Sequence, residues 1–207
     1  MRGQLLKMTI DGSWPNGREI AVELKISPRN EHKKSQTRSI RREGDIPAVI
    51  YSSHNEVKSV CVDGAQFLAA LREIKKGHLP NTTFKLKDES GKAVSAIVKD
   101  IQYHKVNYNI LHLDFLELSE SSAVTLNVPV EMIGQADCVG VKAGGALRLV
   151  KRHVSVKCLP KHIPQNLEVN VIDLQIKGSK RIRDVQLPAN VEVLAGGQEV
   201  VAVVGKR

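Results

Sequence analysis

The chain has 207 residues, of which 42% are hydrophobic and 26% charged, and its formal net charge is +9. That length is enough to bury a core without disulfides or metal sites, and the composition excludes a disordered chain. Its three cysteines are far apart and form no Cys-x-x-Cys pair, which argues against a disulfide framework and a structural zinc site and favours a reducing compartment.

The first part of the chain has no periodic pattern. Residues 1–18 mix Gly, Pro, Asn and Trp, so we expect a flexible N-terminal extension. No segment has the apolar character of a signal peptide or the length of a membrane span, about 18 residues, so we expect no membrane partner.

A half-buried strand is predicted next, because apolar residues alternate with others at Ile20, Val22, Leu24 and Ile26.

The most basic stretch of the chain is residues 29–42, where six basic residues accompany a single acid, Glu31. Arg38, Arg41 and Arg42 are three and four positions apart, so they share one face of a helix. Such a face is either simply solvated or binds a polyanion such as a nucleic acid. Nucleic-acid binding is favoured over simple solvation, because the three arginines share one helical face and two lysines lie in the preceding polar loop.

The limits of this helix can also be predicted. Ser35 is the expected N-cap, and Gly44 followed by Pro47 is the expected end. The apolar residues that follow predict a strand at Ile46–Tyr51.

A second helix is predicted over residues 63–77. Asp63 is its expected N-cap, and Gln66 has the spacing of a capping box. Lysines followed by Gly77 suit its C-terminus. Its apolar stripe comprises Phe67, Leu68, Leu71 and Ile74.

Three further strands are predicted before residue 119. Residues 84–86 and 94–101 should pair around a turn at residues 88–91. In residues 111–115 one face is apolar and the other carries His112 and Asp114.

The three serines of residues 119–122 mark a predicted linker to a nearly all-β second half. No aromatic residue follows Phe115, which argues against a base-stacking surface there. Alternating apolar residues predict strands at Val124, Leu126, Val128, Val130 and Met132, at Val154, Val156 and Cys158, at Leu167, Val169 and Val171, and at Val191 and Val193.

Catalytic motifs are missing: the sequence has no GxSxG, Walker A or GxGxxG pattern. The glycine-rich residues 140–145 are interpreted as a turn between strands, with no helix to complete a phosphate site. His104, His112 and Asp114 resemble part of a metal site or an acid–base pair. Further ligands are not nearby, so the alternative is a solvent-facing strand edge with unpaired polar groups, and we expect no metal and no cofactor.

Two blocks of sequence resemble one family. Residues 29–51, which end in Gly44-Asp-Ile-Pro47-Ala-Val-Ile-Tyr51, look like the N-terminal signature of the bacterial ribosomal protein L-twenty-five family, also called the general stress protein CTC family. Asp100-Ile-Gln102-Tyr-His104, with Leu111-His112-Leu-Asp114-Phe115 after it, is similar to that family's DVQ-x-H…H-x-DF element. The second half resembles the long form of the family at Val128–Val130, at residues 140–145 and at Cys158-Leu-Pro160.

This resemblance implies a mainly β fold with a few helices. Residues 19–118 would form a small β-barrel with helices, similar to the anticodon-binding domain of glutaminyl-tRNA synthetase, and residues 123–207 a C-terminal all-β domain. The first domain would bind 5S rRNA in the large ribosomal subunit, so the protein would be cytoplasmic and ribosome-bound.

The resemblance also implies which residues contact RNA. They are Arg29, Lys33, Lys34, Ser35, Arg38, Arg41, Tyr51, Gln102, His104, His112 and Asp114. The basic residues would contact phosphates. A carboxylate among them is repelled by phosphate, so Asp114 indicates readout of base edges rather than charge attraction alone.

We therefore expect a non-enzymatic 5S rRNA-binding protein of the large subunit, with no small-molecule substrate. One alternative is a metal-dependent hydrolase or nuclease that uses His104, His112 and Asp114; its activity would need added metal and would be lost in His112→Ala. The other is a soluble stress-related module that binds proteins through its C-terminal β-domain. Sedimentation with the large subunit at moderate salt would distinguish that module from a ribosomal protein.

Overall fold

The structure is a computed structural model, and it describes residues 22–29, 33–52, 57–88, 91–188 and 190–206. The predicted extension and Ile20 lie outside these described residues. Within them, no helix is long and apolar enough to cross a lipid bilayer.

Six strands of the first half close into a barrel in the order β1-β3-β2-β6-β5-β4. Closure comes from β4, which pairs in parallel with β1. The barrel and the β-rich second half confirm the predicted fold class. The strands are β1 (Val22–Pro28), β2 (Ile46–Tyr51), β3 (Val57–Val62), β4 (Thr83–Asp88), β5 (Ala93–Tyr103) and β6 (Ile110–Glu117).

The first helix, α1 (Lys34–Glu43), begins two residues earlier than a cap at Ser35 requires. The prediction for Ser35 is wrong: Lys33 is the N-cap residue, and its carbonyl accepts a hydrogen bond from the Thr37 amide at 3.3 Å. Ser35 therefore lies exposed in the first turn. The predicted end is confirmed, because Gly44 adopts a left-handed φ of 99° and its amide closes the helix onto Ile40.

The second helix, α2 (Gly64–Glu73), has the predicted cap, since the Asp63 carboxylate accepts from the amides of Ala65 and Gln66. The reciprocal capping-box bond is wrong: the Gln66 side chain instead accepts from the Lys25 amide at 3.1 Å. The helix also ends four residues before Gly77. Leu68 is 45% exposed, so the predicted apolar stripe is narrower than expected.

Three phenylalanines form the centre of the barrel core. The ring of Phe84 on β4 lies 6.1 Å from that of Phe67 on α2 and 6.2 Å from that of Phe115 on β6, centroid to centroid. All three side chains are fully buried. The helix α2 is thereby fixed to the barrel through its aromatic anchor.

The second half contains two sheets that share one apolar core, and the predicted alternating strands are found there. The four-stranded sheet has the order β10-β7-β9-β12 and the three-stranded sheet the order β11-β13-β8. The strands are β7 (Val124–Ile133), β8 (Ala146–Leu149), β9 (His153–Cys158), β10 (Leu167–Asn170), β11 (Ser179–Arg181), β12 (Val191–Val193) and β13 (Val200–Gly205).

The glycine-rich segment is not simply a turn. One helical turn, α3 (Val139–Lys142), lies within it, so the expectation of no helix there is wrong. A Cβ added at Gly140 would lie 2.8 Å from the Leu174 carbonyl oxygen, and one at Gly145 would lie 2.6 Å from Val204 Cγ1. Close packing therefore accounts for these two glycines.

The two halves contact each other along their boundary. Ile97 of β5 is buried in the core of the second half, where Leu116 and Leu118 also pack. The amide nitrogen Nδ2 of Asn81 donates to the carbonyl oxygens of Pro164 and Gln165, at 2.9 and 2.6 Å. The first half thus contributes apolar groups to the core of the second.

Candidate nucleic-acid interface

The start of α1 is arranged to attract anions. Its N-cap residue, Lys33, makes no side-chain capping bond, and its first turn contains no acidic residue. The unsatisfied amides at a helix start carry partial positive charge, and here Lys33 and Lys34 add full charges beside them. Ser35, in the same turn, offers an exposed hydroxyl. This end of α1 therefore suits a phosphate group.

Arg41 attaches α1 to the barrel. Its guanidinium donates two hydrogen bonds to the carbonyl oxygen of Leu111 on β6, from Nε at 3.0 Å and from Nη2 at 2.8 Å. Leu111 directly precedes His112, so the basic helix lies next to the strand that carries the predicted base-reading pair. Arg41 consequently acts as a positioning residue as well as a positive charge.

The other predicted cations differ in their exposure and in their contacts with the rest of the protein. Lys34 and Arg38 are exposed, and neither side chain has a hydrogen bond or ion pair with any described residue. Arg29 Nη1 donates to Thr37 Oγ1 at 3.4 Å, and its Nε is buried with no partner among the described residues. Lys34 and Arg38 are thus available to a ligand, whereas Arg29 lies partly beneath α1.

His112 and Asp114 lie on the outer face of β6, and their side chains are in contact. His112 Nδ1 is 2.7 Å from Asp114 Oδ1, and the two side chains are 20% and 22% exposed. The strand pairs with β2 on one side and β5 on the other. The interpretation of these residues as a strand edge with unpaired polar groups is therefore wrong.

Neighbouring strands bring further polar groups to the same face. Gln102 on β5 lies opposite His112, and Asp100 lies opposite Asp114. Asp100 was not among the predicted site residues, although its position two residues before Gln102 places both on one face of the strand. The face thus carries two neighbouring carboxylates.

Tyr51 lies farther along this face, at the end of β2. Val49 is opposite Asp114 and Tyr51 opposite Leu116, so the tyrosine lies about 7 Å beyond Asp114 along the strand direction. Its side chain is 39% exposed. Tyr51 therefore lies at the far end of the face from Arg41.

His104 lies in the hairpin loop between β5 and β6, not on the strand face. Its Nδ1 accepts hydrogen bonds from the amides of Val106 and Asn107, at 3.3 and 3.5 Å. In the neutral ring the proton is then on Nε2, which is free to donate. His104 thus stabilises the loop, and its Nε2 remains as a donor.

The other groups with possible chemical reactivity are the remaining histidine and acidic side chains and the three cysteines. Within the described ranges, no group of three or more His, Cys, Asp or Glu side chains could hold a metal ion. All three cysteines are free thiols, and burial raises the pKa of Cys61 and of Cys158. A raised pKa disfavours the reactive thiolate.

Two families of known proteins match the two halves of the chain. Residues 24–115 match the family described as Ribosomal L25p, and residues 123–207 match the family described as Ribosomal protein TL5, C-terminal domain. The large ribosomal subunit protein bL25 of Chlamydia pneumoniae is 40% identical over 186 residues, which is 90% of this chain and 100% of the relative. The bL25 proteins of Chlamydia abortus and Chlamydia caviae are each 41% identical over the same extent. The chain therefore belongs to the ribosomal L25p family, in the long form that carries a TL5 C-terminal domain.

Proposed function

We propose that this chain is a structural component of the large ribosomal subunit that binds 5S rRNA through one face of its N-terminal domain, residues 19–118. This α1–β6 face is formed by the exposed side of α1 and the outer surface of β2, β6 and β5. The contact between Arg41 and Leu111 carries the proposal, because it holds the free cations of α1 beside the His112–Asp114 pair. The names of the curated relatives support the ribosomal assignment.

The cations of this face would neutralise phosphates. Double-stranded RNA presents a wide, shallow minor groove bordered by phosphates and 2′-hydroxyls, which suits a flat protein surface. Lys34 and Arg38 are exposed and without partners among the described residues, so they would make the main phosphate contacts. Lys33, Ser35 and the free amides of the first turn would hold a further phosphate. Arg29 and Arg41 would position α1 as well as add charge.

The strand part of the face would read bases. Asp114 Oδ1 is engaged by His112, so Oδ2 remains as an acceptor for an amino group on a base edge. Gln102 opposite His112 adds a side chain that both donates and accepts. The Tyr51 hydroxyl would donate a hydrogen bond to a sugar or phosphate oxygen. His104 Nε2 would donate a hydrogen bond to the RNA.

We propose that residues 123–207, beyond a linker at residues 119–122, do not recognise 5S rRNA. Their exposed strand faces carry a mixture of acids, amides and bases, for example Glu192 opposite Lys157 and Asn127 bonded to Ser155 at 2.7 Å. The His112–Asp114 pair of the first domain serves binding rather than turnover.

Binding of the full chain to 5S rRNA tests this proposal, with an unrelated structured RNA of similar length as the control. Both affinities are measured at several salt concentrations. We expect tighter binding to 5S rRNA at each concentration and a decline with salt in both cases. Equal affinity for the two RNAs would contradict specific recognition. Failure to sediment with large subunits at moderate salt would contradict the ribosomal role.

A further inference from the structure

A cleft of about 360 Å³ opens beside the α1–β6 face, between the β5–β6 hairpin and the facing ends of α1 and α2. This volume is at the lower end of the range for small-ligand sites, about 300–1,000 Å³. Its floor is apolar and comprises Ile46, Leu68 and Ile110; its polar rim includes Arg41, Asp45, His104, Tyr108 and Asn109. The cleft thus brings in residues that are not part of the α1–β6 face, among them Asp45, Tyr108 and Asn109.

The charges of the cleft do not suit a phosphate. Arg41 is the cation of the rim, and two of its donors are engaged by the Leu111 carbonyl. Asp45 adds a carboxylate that would repel an anion. A neutral ligand with a polar edge is therefore favoured over a charged one.

The rim offers both donors and acceptors to such an edge. His104 can donate from Nε2, because its Nδ1 accepts from two backbone amides of the hairpin. Asp45 accepts, and the Asn109 side chain can do both. An apolar floor with mixed donors and acceptors along its rim matches a planar heterocycle such as a nucleobase.

Tyr108 provides a stacking surface at the edge of the cleft. Its side chain is 76% exposed, and its backbone is in the left-handed region with φ 56°. Bulky residues rarely adopt that region, whereas asparagine does so readily, and Tyr108 is flanked by Asn107 and Asn109. A strained aromatic residue at the mouth of a cleft is typical of a functional position.

We propose that this cleft receives one unstacked nucleobase of the RNA bound to the α1–β6 face. Tyr108 stacks on the base, and Asp45, His104 and Asn109 contact its edge. This inference rests on the proposed function, since Arg41 belongs both to the cleft and to the RNA-binding face.

The test compares Tyr108→Asn with Tyr103→Asn in the full chain. Tyr103 is on the same hairpin and is 48% exposed, but it does not line the cleft, so it is a matched control. Asparagine tolerates the left-handed backbone at residue 108, so the fold should survive. We expect Tyr108→Asn to weaken binding to 5S rRNA about tenfold, and Tyr103→Asn to change it less than about twofold.

Chemical probing of Watson–Crick edges in 5S rRNA gives the second readout. We expect one unpaired nucleotide that is protected in the parent and Tyr103→Asn complexes and reactive in the Tyr108→Asn complex. Equal affinities for the two variants, or no nucleotide with this pattern, would overturn the inference.

Other occupants of the cleft would give different results, each of which contradicts the proposal. If Tyr108→Asn bound 5S rRNA normally but no longer sedimented with large subunits, the cleft would hold a protein side chain. If free AMP, GMP, CMP or UMP bound saturably while the RNA contacts were unaffected by Tyr108→Asn, it would be a nucleotide site. Loss of the parent's preference for 5S rRNA would instead be the failure of the proposed function, and the inference would fall with it.

Discussion

The guanidinium of Arg41 and the carbonyl oxygen of Leu111, seventy positions apart in the chain, are joined by two hydrogen bonds of 3.0 and 2.8 Å. This contact sets the distance between the basic helix and the strand that carries His112 and Asp114. The two arginines Arg38 and Arg41, which share one helical face, consequently have different roles. Arg38 is free to contact a ligand, and Arg41 holds the helix in place.

Alanine substitution should separate these two roles. Arg38→Ala is expected to weaken binding to 5S rRNA and to reduce the slope of log affinity against log salt by about 0.7–0.9, with no loss of thermal stability. Arg41→Ala is expected to weaken binding and also to lower the free energy of unfolding by about 1 kcal/mol, since hydrogen bonds from a charged group are lost at an exposed site. Salt-dependent binding and urea unfolding measure both quantities.

Arg72→Ala is the matched control, because Arg72 is an exposed arginine at the end of a different helix, α2. Its salt slope should equal that of the parent. An unchanged slope in Arg38→Ala together with lost preference for 5S rRNA would mean that Arg38 reads a base instead.

Removal of the Asp114 carboxylate distinguishes base readout from charge attraction. A purely phosphate-neutralising face would gain affinity, because repulsion is relieved. We expect the opposite: Asp114→Ala should weaken binding to 5S rRNA about tenfold or more, as an unpaired donor on the RNA costs about 1–3 kcal/mol. Affinity for generic duplex RNA should stay level or rise.

The hydrogen bond between His112 and Asp114 predicts coupling between them. His112→Ala combined with Asp114→Ala should therefore weaken binding less than the sum of the single effects. Thermal unfolding checks that each variant is folded. A folded Asp114→Ala protein that binds 5S rRNA as well as the parent would rule out base readout by this carboxylate.

Glu131 links the two halves and makes their stability depend on pH. The hydrogen bond from Lys75 lowers the pKa of Glu131 against the opposing effect of burial; a hydrogen bond from Asn166 and the His78 ring, whose Nε2 is 3.5 Å from Oε1, act in the same direction as Lys75. A carboxyl group whose pKa is lowered by folding stabilises the folded protein at pH values above the group's ordinary pKa. This contribution is lost as the pH falls through the lowered pKa.

Glu131→Gln should therefore be less stable than the parent at pH 7 by about 1 kcal/mol or less, because the side chain is one-third exposed. Urea unfolding should show this difference shrinking as pH falls below the ordinary pKa of a glutamate carboxyl group, about 4.5. Glu120→Gln is the control, since Glu120 pairs with Lys161 but is 82% exposed. A difference for Glu131→Gln that stays constant with pH would show that its charge is not responsible.

Close packing at Gly140 predicts a steric effect rather than a functional one. A Cβ there meets the Leu174 carbonyl oxygen at 2.8 Å and Val204 Cγ1 at 2.9 Å. Gly140→Ala should destabilise the chain by about 1–3 kcal/mol in urea unfolding and leave 5S rRNA affinity unchanged. Gly197→Ala, whose Cβ meets nothing nearer than 4.0 Å, should be close to neutral. Equal stability of the two variants would contradict the packing argument.

Much of the fold followed from hydrophobic periodicity. The alternation of Leu113 and Phe115 with His112 and Asp114 predicted both the strand and the face on which the polar pair lies. Local signals also placed the Asp63 cap and the helix end at Gly44. Each of these depends on neighbours within a few residues.

The features that sequence analysis missed depend on distant partners or short elements. Lys25 and Gln66, which are hydrogen-bonded, are separated by 41 positions in the chain. Arg41 and Leu111, also hydrogen-bonded, are separated by 70 positions. No local pattern reveals contacts between residues so far apart. The strand β8 has only four residues, and β13 is a continuous apolar run without alternation. Periodicity cannot assign such segments.

Lysine modification footprinting of the full chain, free and bound to 5S rRNA, tests the central claim most directly. Lys34 is exposed on α1, whereas Lys157 and Lys177 are exposed in the second half, so one experiment compares both surfaces. We predict that RNA protects Lys34 from acylation and leaves Lys157 and Lys177 as reactive as in the free protein. Protection of Lys157 and Lys177 with Lys34 still reactive would contradict recognition of 5S rRNA by the α1–β6 face.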